Sequence, residues 1–128
     1  MRILDTDHCV AALRQKLDFR AHISPSEVVG VTVISVAELT HGAHRSARPV
    51  ENLAAVDVLL TGLVILPFDE VSARNFGQLK ASLQTSGVLI EDIDLQIASI
   101  VLHHSGTLVT HNTKHFRRIN GLALEDWL

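Results

Sequence analysis

Val64-Ile65-Leu66-Pro67-Phe68-Asp69 reads as the end of a buried strand and the start of a helix. Its first three residues are apolar without polar alternation, and two are β-branched, the pattern of a strand covered on both faces. Pro67 stops the run because it has no backbone N–H to donate. Asp69 is placed to cap the amphipathic stretch that follows. There Ala73, Phe76, Leu79 and Leu83 follow helical spacing, Lys80 is the polar break, and Gly87 stands where a helix end favours glycine.

The same strand-to-helix order recurs on either side. Arg2–Leu4 is a short apolar strand, followed by a helical pattern from about His8 to Leu17. Val31–Ser35 is a β-branched run of strand length, and the pattern turns helical from Val36 through Ala43. Pro49 suits the first turn of another helix, with Val50, Leu53, Ala54, Val56 and Leu60 as its apolar positions. Asp92 is a candidate cap for a helix with the stripe Ile93, Ile97, Ile100 and Val101; Gly106 ends it, Thr107–Thr110 is the next strand, and Gly121–Leu124 a last short one. Strands alternating with helices predict an α/β sandwich with a mostly parallel sheet.

The chain of 128 residues is expected to be a single domain, 1–128, with 47% hydrophobic and 20% charged residues, which excludes a disordered chain. The lone Cys9 excludes an internal disulfide and a cysteine-based zinc site. The longest charge-free apolar run, Val58–Phe68, is too short to cross a bilayer, and Asp5 and Asp7 interrupt the only N-terminal apolar stretch, which does not read as a signal peptide. A cytoplasmic protein without membrane contact is expected. Eleven Lys and Arg against 14 Asp and Glu leave a formal charge of −3. That balance argues against coating nucleic acid non-specifically, but not against cutting it at a metal site.

The acids fall in a pattern. In a parallel α/β sheet, the loops leaving the strands share one edge with the first turns of the following helices. Asp5 and Asp7 follow the first strand, Glu38 lies in the first turn after Val31–Ser35, and Asp92 and Asp94 lie in the first turn of the helix before Thr107. The loop His111–His115 completes the ring. Carboxylates gathered this way repel one another unless a cation sits among them. Oxygen ligands favour Mg²⁺ or Mn²⁺ over zinc, and such an ion suits phosphoryl chemistry. Acids in helix first turns also serve simply as dipole-favoured caps, the simpler account of Asp69 and Asp92 taken alone.

Ile3-Leu-Asp-Thr-Asp-His8, followed by Ile34-Ser-Val-Ala-Glu-Leu39 and Gly42, resembles the opening of PIN-domain ribonucleases of the VapC toxin type. Val64–Asp69, Asp94-Leu-Gln-Ile-Ala98, Leu108–Phe116 and the closing Gly121–Trp127 are similar to the later blocks, in the same order along the whole chain. The resemblance implies a three-layer α/β/α fold and a Mg²⁺- or Mn²⁺-dependent endoribonuclease acting on RNA such as tRNA or rRNA. It also implies a homodimer held inactive by a cognate VapB-like antitoxin. Position by position, Asp5, Glu38 and Asp94 match the core acids, and Thr6 matches a small hydroxyl residue that holds Asp5 or a metal-bound water.

One position departs from that pattern. In the loop after Thr110, Asn112 and His115 stand where such proteins tend to carry an acid. With one anionic ligand fewer, a second ion should bind more weakly, so a one-metal state is expected without substrate phosphate. Asn112 could still ligate through its amide oxygen, His115 could orient a water, and Asp92 could supply the missing charge. Lys114, Arg117 and Arg118 beside Asn112, with Arg45 and Arg48 after Glu38, are candidate phosphate contacts. The expected chemistry is in-line attack of a metal-activated water on a phosphodiester, which the resemblance implies leaves a 5′-phosphate and a 3′-hydroxyl.

The remaining candidates read more simply as structure. His41 with His44, and His103 with His104, lack a third ligand at zinc-motif spacing. Cys9 reads as a small buried residue, and Trp127 as an anchor for the tail. Three other functions fit the pattern less well: a housekeeping RNA-processing nuclease, a catalytically weakened PIN domain kept as a binding module, and a phosphoacceptor signalling domain. The last wants a lysine directly after the late strand, where Thr110-His111 stands.

Overall fold

In the computed structural model, which describes residues 1–128, the elements follow as β1 (Arg2–Leu4), α1 (Thr6–Leu13), β2 (Val29–Thr32), α2 (Val33–Arg45), α3 (Pro49–Thr61), β3 (Val64–Leu66), α4 (Glu70–Thr85), α5 (Asp92–His103), β4 (Thr107–Val109), α6 (Thr113–Phe116) and β5 (Ala123–Glu125). A 3-10 turn over Phe19–His22 interrupts the connection between α1 and β2. The five strands make one sheet in the order β3-β2-β1-β4-β5, and every pairing is parallel. This is the α/β fold expected from the alternation, with the sheet parallel throughout.

Alternation along each strand divides the core into two. Ile3 and Leu108 pack on one face with Leu95, Ile97, Ile100 and Val101 of α5 and with Phe116. Their neighbours Leu4 and Val109 pack on the other face with Val31, Cys9, Leu39, Ala43 and Val56, which come from β2, α1, α2 and α3. Ile3, Leu4, Leu108 and Val109 are all fully buried, as central parallel strands require. The sheet therefore lies between two helical layers.

The strand order creates the functional edge. From β1 the chain moves outward to β2 and β3, then crosses to the opposite side for β4 and β5. β1 and β4 are thus central neighbours whose outgoing loops diverge, leaving a crevice at their C-terminal ends. Asp5 and Thr110 are the first residues beyond those two strands.

Several boundaries differ from the sequence reading. β2 ends at Thr32 rather than Ser35, and Val33 and Ile34 begin α2 despite their β-branching. The cause is a cap, because Thr32 Oγ1 accepts the Ser35 N–H at 3.2 Å and closes the strand. Glu38 consequently lies in the second helical turn, not the first. α1 begins at Thr6 rather than His8, capped by Asp5, and ends at Leu13 rather than Leu17. β3 is an edge strand, not a buried one: Val64 and Ile65 remain 43% and 46% exposed because no strand lies beyond them. Asp69 caps α4 through the Ser72 N–H at 2.9 Å, and Gly87 follows the helix at φ +72°, both as the sequence indicated. Asp92 is not a cap. Glu91 holds that position without a side-chain bond, and Ile93 is 43% exposed, outside the buried stripe.

Candidate active site

Asp5 is the centre of the edge. It leaves β1 with its N–H donating to Val109 O at 2.9 Å, so the β1–β4 ladder continues through it. Its Oδ1 accepts the Thr6 N–H at 2.8 Å and its Oδ2 accepts the Thr110 hydroxyl at 2.7 Å. Only 7% of the residue is exposed. Burial pushes its carboxyl up to about 6, helped by the charges of Asp7 and Asp94 and opposed by the bonds from Thr110 and Thr6.

Glu38 reaches the same edge from α2. Thr6 Oγ1 donates to Glu38 Oε1 at 2.7 Å and lies 2.9 Å from the fully buried Ser35 Oγ. Thr6 thus ties Asp5, through its backbone N–H, to Glu38, through its hydroxyl.

Asp94 enters from the first turn of α5, half-buried, with Oδ2 3.1 Å from His115 Nε2. Burial raises its carboxyl above the ordinary aspartate range. The adjacent His115 opposes that shift, while Glu91 and Glu38 add to it. Arg118 Nη2 lies 2.7 Å from His115 Nδ1, and a guanidinium can only donate, so Nδ1 is the acceptor and Nε2 carries the ring hydrogen. That Nε2 is buried without a hydrogen bond of good geometry, although it is close to Asp94.

The other expected residues separate into two groups. Asn112 stands at the N-cap position just before α6, with its N–H donating to Thr110 Oγ1 at 3.0 Å, and its side chain is exposed at the same edge. Lys114, His115 and Arg118 share a cavity of about 340 Å³ with Asn112; Arg117 is not among the residues lining it. Asp92 is turned away to Lys80, its Oδ1 accepting from Nζ at 2.9 Å on the exposed α4–α5 surface. It does not supply the charge missing at Asn112.

Sequence reasoning passed over Thr110, Ser35 and the structural use of Asp7. Asp7 Oδ1 accepts from His8 Nδ1 at 2.7 Å and its Oδ2 accepts the His111 N–H at 2.9 Å. Burial works against its ionisation, but these bonds and the His8 ring outweigh it and hold the carboxyl below its usual range. His8 is wholly buried, and its Nε2 accepts the Trp127 N–H at 3.1 Å. His8 therefore ties the chain end to the site loop and does not reach solvent. The available signal for Thr110 was a small hydroxyl residue ending an apolar strand, as Thr32 also does.

Asp5, Glu38, Asp94 and the Asn112 amide form a donor set of hard oxygens. Asp5 and Glu38 are hydrogen-bonded to threonines, and no three His, Cys, Asp or Glu side chains stand close enough to share an ion. The donor chemistry nevertheless fits a divalent cation. The raised carboxyls of Asp5 and Asp94 show the cost of keeping these groups ionised together, which positive charge would offset. Glu38 Oε2 and Asp94 Oδ1 receive no hydrogen bond from protein and remain free to coordinate.

A buried aspartate at the switch point of a parallel sheet, joined by two further acids from separate helices, defines a carboxylate-edge α/β protein. The PIN domain profile matches residues 2–122, and the chain belongs to the PIN-domain family. It is 33% identical to ribonuclease VapC2 of Rickettsia felis, covering 98% of this chain and 96% of that protein. It is 31% identical to the tRNA(fMet)-specific endonuclease VapC of Salmonella typhimurium, over 98% of this chain and 96% of that one. The solved structure of VapBC2 from Rickettsia felis bound to a DNA fragment from its promoter superposes with a TM-score of 0.92 at 31% identity, covering 99% of this chain and 98% of that one. DNA-bound VapBC from Salmonella typhimurium gives 0.91 at 31% identity, with coverage of 99% and 98%.

Proposed function

We propose that this chain is the ribonuclease toxin of a toxin–antitoxin pair, cutting RNA phosphodiester bonds with Mg²⁺ or Mn²⁺ and inhibited by a VapB-like antitoxin. The observation that carries the reading is the placement of Asp5, Glu38 and Asp94 from three separate elements at one end of the β1–β4 crevice. Relatives named as VapC ribonucleases, and solved VapBC assemblies of the same fold, support both the activity and the partner.

Asp5, Glu38 and Asp94 would hold the ion, with the Asn112 amide oxygen as a further neutral ligand. A divalent cation held by these residues would supply polarisation of a phosphate oxygen and a lowered pKa for an attacking water. The protein's own contribution is orientation. Thr6 and Thr110 hold Asp5 by its two oxygens, and Thr6 also holds Glu38 Oε1, so these two acids are tied to the same edge through one threonine. His115, held by Arg118, stands beside Asp94 with Nε2 3.1 Å from Oδ2. No helix is long and apolar enough to cross a membrane. A homodimer in the absence of antitoxin is part of the same reading.

The test is cleavage of total cellular RNA by antitoxin-free protein with Mg²⁺, Mn²⁺ or EDTA, alongside Asp94→Asn. Discrete fragments that require metal and vanish in the variant are expected. Folded protein that cleaves nothing with either ion would overturn the nuclease reading and favour a binding module. Sedimentation of the same preparation checks the dimer.

A further inference from the structure

We infer that the cleft walled by Asn112, Lys114, His115 and Arg118 is a phosphate subsite, seating a backbone phosphate of RNA beside Asp94 in place of a second cation. The inference rests on the nuclease reading and adds to it how this chain holds its substrate.

The cleft has the composition of an anion site. All four residues lining its 340 Å³ are polar, two are cationic, and none is acidic or apolar. Neither Lys114 nor Arg118 forms a salt bridge, whereas Arg2, Arg48, Arg74 and Lys80 each have a carboxylate partner. The Arg118 guanidinium contacts His115 alone, its Nη2 lying 2.7 Å from the ring Nδ1 and its Nε donating to the backbone carbonyl at 3.2 Å, and neither partner is a carboxylate. These charges are therefore uncompensated within the protein, next to a carboxylate that a phosphate could not otherwise approach closely.

His115 joins the subsite to the acids. Its Nδ1 faces the Arg118 guanidinium, and its Nε2 lies 3.1 Å from Asp94 Oδ2. The imidazole thus stands between a guanidinium and a catalytic carboxylate. An additional cation here would face Lys114 and Arg118 with only the Asn112 amide as a new oxygen donor. A phosphate there meets two cations and an amide N–H₂. The opposite preference would need an acid at position 112 or 115, where the chain has none.

Two measurements on the full chain decide this. The first is binding of a labelled 12-nucleotide single-stranded RNA to Asp5→Asn in EDTA across a salt series. Adding Lys114→Ala and Arg118→Ala is expected to weaken binding about tenfold and flatten the slope of log K against log salt by roughly 1.4, as loss of two single-strand phosphate contacts requires. Arg74→Ala, on the exposed face of α4, is expected to leave the slope unchanged. An unchanged slope in the Lys114 and Arg118 variant overturns the inference.

The second is the number of Mn²⁺ ions bound by the wild-type chain without RNA, counted by electron paramagnetic resonance. One is expected, and two would also overturn the subsite. Failure of the broader reading looks different. Salt-dependent binding through Lys114 and Arg118 by a protein that never cleaves RNA would leave the subsite standing and remove the nuclease.

Discussion

Thr110 Oγ1 donates to Asp5 Oδ2 at 2.7 Å, joining residues 105 apart in sequence across the two central strands. Both are buried, and the bond lies at the base of the crevice between β1 and β4, where the strand order reverses. It gives a buried carboxylate one of its two side-chain or backbone donors, so this pair sets both the cost and the geometry of the acidic centre.

Thr110→Val removes that donor while keeping a β-branched shape. At pH 7.5 the variant should lose about 2 kcal/mol of stability, the worth of a hydrogen bond to a charged group. At pH 5, where Asp5 with its carboxyl near 6 is mostly protonated, the loss should be smaller. Urea unfolding at both pH values measures the difference, and equal losses would mean that the bond does not serve the ionised form.

Asp5→Asn should abolish cleavage yet stabilise the metal-free protein at neutral pH. The Asp5 carboxyl is raised from 3.8 in the unfolded chain to about 6 when folded. The folded state therefore holds its proton longer, and this contribution to stability is fully present below pH 4. It is lost as pH rises through 6, by roughly 3 kcal/mol. The asparagine variant lacks that dependence, so the stability gap between the two proteins should widen in its favour from pH 4 to pH 8. Thermal melts across that range in EDTA provide the comparison.

Mg²⁺ or Mn²⁺ should raise the melting temperature of the wild-type chain more at pH 7.5 than at pH 5.5, because Asp5, with its carboxyl near 6, must release a proton that burial retains. At ten times the dissociation constant the gain is about 1.4 kcal/mol, or roughly 3 to 7 degrees for a domain of this size. Asp94→Asn should lose most of the shift. Calorimetry with and without EDTA reads it directly.

Asp92→Asn should behave unlike Asp94→Asn although only one residue separates them. Asp92 bonds Lys80 at an exposed surface, so its loss should cost under about 1 kcal/mol and leave the cleavage rate within about twofold of wild type. A large loss of activity would place Asp92 in the site after all.

His8→Phe should cost about 2 kcal/mol by leaving Asp7 Oδ1 and the Trp127 N–H without their partner at a partly buried place. Trp127, the only tryptophan, stacks on His22 with ring centroids 4.8 Å apart. Its fluorescence should therefore red-shift in the variant if the tail is released. An unchanged spectrum would show that His8 does not hold the tail.

Much of this molecule was legible along the chain because strand and helix periods are local. Asp69 and Gly87 bracket α4 as their chemistry dictates, and Pro67 ends β3. The α2 boundary was not legible. Val33 and Ile34 have strand character, but the Thr32 cap outweighs their propensity. Nor was the exposure of β3. Whether an apolar strand is central or at an edge depends on strand order, to which its own sequence is blind.

The acidic centre divides in the same way. Asp5, Glu38 and Asp94 could be sent to one sheet edge from sequence because strand ends and helix starts gather there, although the same pattern also sent Asp92, and the resemblance was needed to match the three. The partners of those acids came only with the tertiary structure. Thr110 on Asp5, His115 on Asp94 and Lys80 on Asp92 are contacts between elements distant along the chain, set by which strands pair and how each helix is rotated against the sheet. Residue identity established the chemistry available. Packing selected the carboxylate oxygens that are bonded, the acid that turns to the surface, and the corner that gathers positive charge.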